Sequence, residues 1–172
     1  MTIDDVVYVP ELPVHDAAIE DINQEAFGPG RFVRAAYRIR ERGPHDRALS
    51  FVALVGDEVV ASVRMTPIRI GAQQGKSETL LLGPLAVRPA WKNKGIGRTL
   101  LKKAMETAQA VGYGLVVLVG DEPYYGPFGF RRVPANRLQM PAPVDPARLL
   151  ACELKPHSLD AANGMVKHAE AA

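Results

Sequence analysis

Residues 83–98 read GPLAVRPAWKNKGIGR, and this stretch decides the fold. Its first part ends a mostly apolar run, Thr79 to Val87, which predicts a central strand buried on both faces. Its last part opens a pattern from Gly95 to Val111 in which apolar side chains recur at helical spacing. A second apolar run follows from Leu115 to Val119. Strand, helix and strand at this spacing predict two parallel neighbouring strands joined by a right-handed crossover.

The loop between the first strand and the helix has the composition of an anion site. The first helical turn carries N–H groups without internal partners, and glycines let a ligand approach them closely. Lys92, Lys94 and Arg98 crowd this positive end of the helix dipole, where acids would each stabilise by roughly 0.3–1 kcal/mol. A bound polyanion such as a pyrophosphate would explain the bases, whereas the simpler alternative is a solvated loop. The pattern fits neither a P-loop nor a dinucleotide fingerprint, because it lacks Gly-Lys-Ser/Thr and has Leu100 in place of a third glycine.

Two further features lie on either side of this loop. Gly83-Pro84 stands inside the apolar run, and because proline removes a ladder donor, we expect a break or bulge there. The backbone of Leu85 to Val87 would then face an open cleft, unless the pair marks a simple bend. Tyr124 and Tyr125 follow the second strand, at the end where open α/β sheets bind ligands. Either they serve a leaving group there, or they pack in the core with Phe128 and Phe130.

The rest of the chain predicts one mixed α/β domain. Its 172 residues suit a single domain. Gly56-Asp57 predicts a hairpin turn. Asp16 is placed to cap the first helix, and the tail from Asn163 to Ala172 has little to bury and is expected to fray. The other predicted elements are a strand at 6–9, helices at 16–27 and 32–40, strands at 50–55 and 59–70 with an interruption near Pro67, a strand from Phe130, a loop at 134–146 and a strand at 149–154.

Composition excludes several functional classes. The net charge is only +2, so nucleic-acid binding is not expected. Arginines do cluster between Arg31 and Arg42. They form either a solvated helix face or a surface for an acidic partner. The four histidines show no metal-ligand spacing, so no metal is expected. The single cysteine, Cys152, reads as a small buried residue. The acidic N-terminus does not resemble a signal peptide and no apolar run would span a membrane, so we expect a soluble cytoplasmic protein.

These motifs, taken in order, resemble the cofactor core of GNAT N-acetyltransferases. The run Gly83 to Val87 and the run Gly120 to Phe130 are similar to the bacterial YhbS-like branch in particular. The specific match covers residues 79–133. The family's pyrophosphate motif begins with Gln or Arg, and Lys92 stands at that position as a departure. The resemblance implies an α/β GNAT fold: a mixed twisted sheet of six to seven strands, about four helices and a splayed parallel strand pair.

The resemblance also implies the reaction and the site. Acetyl-CoA would donate an acetyl group to a primary amine of a small molecule or peptide. Tyr125 matches the family's general-acid position. A backbone N–H near Leu85 would stabilise the oxyanion. The residues implied for cofactor binding are Leu85, Ala86, Val87, Lys92, Asn93, Lys94, Gly95, Ile96, Gly97, Arg98, Tyr124 and Phe128.

Several points stay open at the level of sequence. The acceptor side would comprise residues 1–78 and 134–160, where the resemblance is least specific. Candidates for the general base are Glu25, Asp46, Glu78 and Asp121, beside a water chain. The protein is expected to be a monomer or a homodimer. Alternatives are a non-catalytic acyl-CoA sensor, which would not need Tyr125, and an acetyltransferase for a protein or RNA amine.

Overall fold

The computed structural model describes residues 3–171, with the backbone alone at residues 4, 32 and 33. The strands are β1 (Val6–Pro10), β2 (Phe51–Val55), β3 (Glu58–Ile70), β4 (Thr79–Val87), β5 (Leu115–Val119), β6 (Arg131–Arg132), β7 (Leu138–Gln139), β8 (Leu149–Glu153) and β9 (Gly164–His168). The α-helices are α1 (Asp16–Phe27), α2 (Ala35–Arg40), α3 (Ile96–Val111) and α4 (Glu122–Tyr125). Short 3-10 helices lie at Ile3–Asp5, Pro13–His15, Pro29–Val33, Arg47–Leu49, Pro89–Trp91, Gly126–Phe128 and Pro146–Arg148.

The strands form one mixed sheet in the order β1-β2-β3-β4-β5-β8-β6, with β9 pairing with β3 and β7. The predicted α/β class is confirmed, and so is the parallel pairing of β4 with β5 on either side of α3. The expected six to seven strands match the seven of this order, and within residues 3–171 the strands β7 and β9 are added beside it. Two of the strands, β6 and β7, contain only two residues each, which is too short to leave a periodic pattern in the sequence.

The parallel pair separates after three residue pairs. Thr79 to Leu81 pair with Leu115 to Val117, and beyond this point β4 pairs only with β3 while β5 pairs only with β8. From Leu82 to Leu85 β4 takes three residue steps, whereas β3 takes two between their partners Met65 and Val63, so Gly83-Pro84 forms a bulge opposite Arg64. The predicted break at Gly83-Pro84 is therefore confirmed.

Apolar cores cover the two faces of the sheet. The largest packs the buried face of α3 against the central strands, with Leu100 and Leu101 fully buried. On the opposite face, Ile19 and Ile22 of α1 pack on Ala86, and Ile39 of α2 joins a core that includes Leu81. Helix α3 and the pair α1 and α2 therefore lie on opposite sides of β4.

The C-terminal tail forms a strand, whereas the sequence predicts that it frays. Its residues form β9, which pairs with Ile68–Ile70 at the half of β3 that extends beyond β2. His168 is buried, its Nε2 lies 2.8 Å from the carbonyl oxygen of Pro44, and its Nδ1 accepts a hydrogen bond from the N–H of Glu170. The sequence missed this strand because β9 has only five residues and Val166 is the one buried apolar side chain among them.

Three smaller predictions are also corrected. The N-cap of α1 is His15, and the Asp16 carboxylate instead binds Arg47 and Arg64. The predicted helix at 32–40 is a 3-10 helix followed by the six residues of α2. Pro67 does not interrupt β3, since it pairs with Leu80.

The contact between Gly43 and His168 predicts a sensitive position. A methyl group on Gly43 would overlap the imidazole ring of His168, which two hydrogen bonds hold in place. We expect Gly43→Ala to lower the free energy of unfolding by about 1–3 kcal/mol, as overpacking does. Urea denaturation measures the change.

Gly30→Ala is the matched control for this substitution. A methyl group there meets no atom within 4 Å. We expect its unfolding free energy to stay within about 0.5 kcal/mol of the parent. Equal stability of the two variants would show that the C-terminal strand is not packed as described.

Candidate functional site

A cleft of about 1210 Å³ opens where β4 and β5 separate. On one side it is lined by the loop before α3, by the first turn of α3, by the end of β5 and by the tyrosines of α4. On the other side it is lined by residues of α1 and α2. Because these elements cover opposite faces of the sheet, the cleft passes from one face to the other at the point of separation.

The loop before α3 has the geometry of an anion site. Gly95 is the N-cap of α3 in the left-handed conformation, with φ 84°, and provides no side-chain cap. Asn93 is also left-handed, with φ 62°. None of the bases Lys92, Lys94 and Arg98 forms an ion pair with a side chain that the structure describes. The N–H groups at the start of α3 are thus surrounded by unneutralised positive charge.

The second half of β4 forms the floor of the cleft. Leu85, Ala86 and Val87 all line it, and their edge facing β5 has no strand partner among the described residues. Backbone groups on such an edge can pair with an extended ligand that carries amides. This is the arrangement that the bulge at Gly83-Pro84 produces.

The two tyrosines of α4 occupy different depths of the cleft. A methyl group on Gly97 would lie 2.9 Å from the Tyr124 hydroxyl oxygen, so this hydroxyl sits over the first turn of α3. Tyr125 is deeper, with its ring against Gly120 and 5.8 Å from the ring centroid of Phe130. Burial raises the pKa of Tyr125 to about 12, assisted by neighbouring Tyr124 and Asp121. The Tyr125 phenol therefore stays protonated at neutral pH.

The structure brings most of the residues singled out from the sequence to this one cleft. The exceptions are Lys94, which is exposed beside it, and Phe128, which packs on the core under α3. Those lining the cleft are Leu85, Ala86, Val87, Lys92, Asn93, Gly95, Ile96, Gly97, Arg98, Tyr124 and Tyr125.

An ionic cluster that the sequence analysis missed supports the opposite wall. Glu11 has a side chain only 1% exposed and receives hydrogen bonds from Arg64 and Arg47. His45 Nε2 lies 2.5 Å from Glu11 Oε1. Asp16 binds both arginines as well, with oxygen–nitrogen distances of 2.8–3.1 Å. His45 and Arg64 line the cleft, so the cluster fixes two charged or titratable groups there.

The carboxylates of this cluster are held in the ionised form. Burial is the strongest influence on Glu11 and opposes ionisation, but hydrogen bonds from His45 and Arg64 outweigh it, so its pKa is lowered. The pKa of Asp16 is lowered mainly by its hydrogen bond to Arg47. The residues involved are up to 53 positions apart, so their spacing gave no signal in the sequence.

Of the four candidates for the general base, only Asp121 lines the cleft, and it pairs with Arg148. Glu25 approaches Arg88, Asp46 caps the turn at Ala48, and Glu78 lies outside the cleft. Cys152 is buried, as expected.

Comparison with known proteins decides the family. A family model described as the acetyltransferase (GNAT) family matches residues 17–130, about two thirds of the chain. The chain belongs to the GNAT acetyltransferase family. It is therefore an acyltransferase, and the resemblance found in the sequence is confirmed.

Individual relatives agree with this assignment. This GNAT acetyltransferase is 24% identical over 162 residues to YhbS of Escherichia coli K12, described as an uncharacterized N-acetyltransferase, which covers 93% of this chain and 94% of YhbS. The crystal structure of Escherichia coli YhbS in complex with CoA matches 96% of this chain and 90% of its own, with a TM-score of 0.78 and 23% identity. A GNAT acetyltransferase of Brucella melitensis in complex with acetyl-CoA covers 96% of both chains, with a TM-score of 0.69 and 24% identity. At these identities the structures show the shared fold.

Two features are absent from the described residues of this GNAT acetyltransferase. Residues 3–171 contain no group of three or more histidine, cysteine or acidic side chains placed to hold a metal ion. In the same part of the chain, no helix combines the length and apolar character needed to cross a membrane.

The buried carboxylate of Glu11 predicts the acid sensitivity of the fold. Because its pKa is lowered on folding, its contribution to stability is present above the ordinary value of 4.5 and is lost as pH falls through the folded-state pKa. We expect Glu11→Gln to cost about 3 kcal/mol at neutral pH, as loss of one partner from a buried ion cluster does. The variant should also lose less stability than the parent below pH 4.5. Urea denaturation across pH 3–7 measures both effects.

Glu106→Gln serves as the control, because Glu106 is exposed and its contact with Lys102 is 3.9 Å long. Its acid dependence should match that of the parent. If Glu11→Gln behaves like this control, the cluster does not hold Glu11 in the ionised form.

Proposed function

We propose that this protein transfers an acetyl group from acetyl-CoA to a primary amine by direct attack in a ternary complex. The observation that carries the proposal is the separation of β4 from β5 beside the base-rich start of α3. It supplies one continuous cleft with an anion site at one end, an unpaired strand edge in the middle and a polar wall at the other end. Of the structures similar to this chain, one holds CoA and another acetyl-CoA.

Each part of the cleft matches a part of the cofactor. The pyrophosphate binds the N–H groups at the start of α3, with Lys92 and Arg98 at its side. The pantetheine arm pairs with the backbone of Leu85 to Val87 as an added strand. This places the thioester near Leu85, whose N–H stabilises the developing oxyanion. Lys92 in place of the family's Gln or Arg contributes a point charge rather than a planar group.

Tyr125 assists the departing thiolate as a hydrogen-bond donor. A thiol titrates near 8.5, and burial raises the pKa of Tyr125 to about 12, so complete proton transfer would be uphill by about 5 kcal/mol. A hydrogen bond from the protonated phenol stabilises the thiolate without that cost. The deep position of Tyr125 in the cleft also favours an enzyme over a non-catalytic sensor, which would not need it.

His45 is the group best placed to accept the amine proton. It lines the cleft on the face of α1 and α2, opposite the pyrophosphate end. Its Nε2 faces the ionised Glu11, so Nδ1 is the ring nitrogen left for the acceptor. The histidine thus replaces the acids that the sequence suggested for this role.

The arginine-rich segment favours a small acceptor over a protein or RNA. Arg31 pairs with Glu20, Arg34 lies over the Phe27 ring, and Arg40 is largely buried in the cleft. The five arginines therefore do not form one exposed basic face of the kind that binds nucleic acid.

The cofactor site is tested by Gly95→Glu. The new carboxylate would stand at the anion site, so we expect acetyl-CoA affinity to fall by at least about 100-fold, measured by calorimetric titration. Gly75→Glu is the matched control, since Gly75 is also left-handed (φ 79°) and a methyl group at either glycine meets nothing within 4 Å. The control introduces the same charge and backbone strain at an exposed position outside the cleft, and should bind like the parent. Absence of binding by the folded parent would overturn the proposed function.

The role of Tyr125 is tested by Tyr125→Phe. We expect kcat to fall about 10- to 100-fold while the calorimetric affinity for acetyl-CoA stays within about twofold. Because the pKa of Tyr125 is raised to about 12, the ratio of parent to variant rates should be constant between about pH 7 and 10. A variant as fast as the parent would remove Tyr125 from the mechanism.

A further inference from the structure

We infer that the acceptor amine carries an anionic group, such as a carboxylate, which Arg40 binds; this rests on the proposed function. Arg40 ends α2 and projects into the cleft that the acetyl group would enter. Its guanidinium forms no ion pair and no hydrogen bond with any side chain that the structure describes, although it is largely buried. Burial lowers the pKa of Arg40 to about 10; Tyr37 opposes this effect, and Arg64 and Arg34 add to it, so the group is still charged at neutral pH.

An unpaired buried charge is costly unless a ligand neutralises it. The other arginines of the acceptor wall are either paired or exposed to water: Arg64 pairs with Glu11 and Asp16, and Arg31 pairs with Glu20. Arg34 is exposed and lies over the Phe27 ring. Two acids, Glu41 and Asp145, also line the cleft, but both are exposed and water screens their charge. The interior of this wall therefore presents one uncompensated cation.

The position of Arg40 assigns this cation to the acceptor rather than to the cofactor. A methyl group on Gly83 would lie 3.5 Å from Arg40 Nη1, which places the guanidinium beside the bulge. Gly83 precedes Leu85 on β4, whereas the pyrophosphate loop follows Val87. The cofactor phosphates thus lie on the far side of the thioester from Arg40. The anion that Arg40 binds has to enter with the other substrate.

Two further polar atoms complete the pocket. Asn23 Oδ1 on α1 and Thr66 Oγ1 on β3 are buried, line the same cleft and have no hydrogen-bond partner among the described residues. Buried polar atoms are nearly always satisfied, so unpartnered ones facing a cavity indicate a polar ligand. A carbonyl oxygen suits the N–H groups of an amine, and a guanidinium suits a carboxylate.

The spacing limits the size of the acceptor. Gly83 and Leu85 are two residues apart in the bulged part of β4, so their separation is at most about 7 Å. Since the hydrogen bond from Arg40 occupies about 3 Å of it, the anionic group and the reacting amine are separated by only a few bonds. An α-, β- or γ-amino acid has this spacing.

Matched pairs of probes test the inference. Each pair consists of an amino acid and its neutral primary amide: the α-amino acids with their amides, and β-alanine and γ-aminobutyrate with theirs. Acetyl transfer is followed by release of the CoA thiol. We expect the parent protein to acetylate carboxylate members of the panel with higher kcat/KM than their amides. A parent that prefers the amides throughout, or that binds acetyl-CoA yet acetylates no carboxylate in the panel, would overturn the inference.

Arg40→Met identifies the residue responsible. We expect KM for the carboxylate probes to rise about 30- to 100-fold, with little change for the amides and with unchanged affinity for acetyl-CoA. The Tm should stay equal or rise, because a buried unpaired charge is removed. Arg38→Met, an exposed arginine of the same helix outside the cleft, should leave both probe classes unaffected. Equal loss of kcat for both probe classes in Arg40→Met would instead place Arg40 at the oxyanion and contradict the inference.

The design separates failure of this inference from failure of the proposed function. Calorimetric titration of the parent with acetyl-CoA tests the cofactor site without any acceptor. If the parent binds acetyl-CoA but acetylates carboxylate and amide probes equally well, the inference is contradicted and the proposed function is not. Absence of acetyl-CoA binding contradicts the function on which it rests. The comparison within the parent protein needs no variant, so a poorly folded Arg40→Met leaves the test intact.

Discussion

The cleft depends on a parallel strand pair that stops after three residues. A strand that lies between two others normally has its backbone groups paired on both edges, and separation of β4 from β5 leaves one edge of Leu82–Val87 open. The extra residue at Gly83-Pro84 provides the local change of direction, since proline has no N–H to donate and a bulge bends its strand. This one irregularity opens the cleft between the two faces of the sheet and places α3 at one end of the cleft.

The half of the cleft around α3 was predictable because its sequence signals are local. The apolar strand, the basic glycine loop and the amphipathic helix follow each other within residues 79–119, and each has a recognisable period or composition. The strand β5 was predicted with its observed bounds. Proline inside a buried strand also gave the correct position of the break.

The acceptor half was not predictable, for a physical reason. Its wall is assembled from α1, α2 and β3, and the ion cluster around Glu11 joins segments that are far apart in the chain. No periodic pattern in the sequence indicates that Glu11 is buried, that His45 faces it, or that Arg40 forms no ion pair with a described carboxylate. The strand β9 was missed for the same reason, because only its partner β3 makes Gly164–His168 a strand. Such residues become recognisable only when tertiary contacts bring them together.

The pairing of His168 with Pro44 has a consequence for the order in which the molecule assembles. The two residues are 124 positions apart, whereas the βαβ unit closes over a few tens of residues. Loop closure over longer distances costs more entropy and is slower. During synthesis from the N-terminus, the chain has to be made at least as far as His168 before β9 can fix the segment that carries Arg40 and His45. The half of the cleft around α3, to which we assign the cofactor, is therefore able to fold early, and the half to which we assign the acceptor acquires its final shape later.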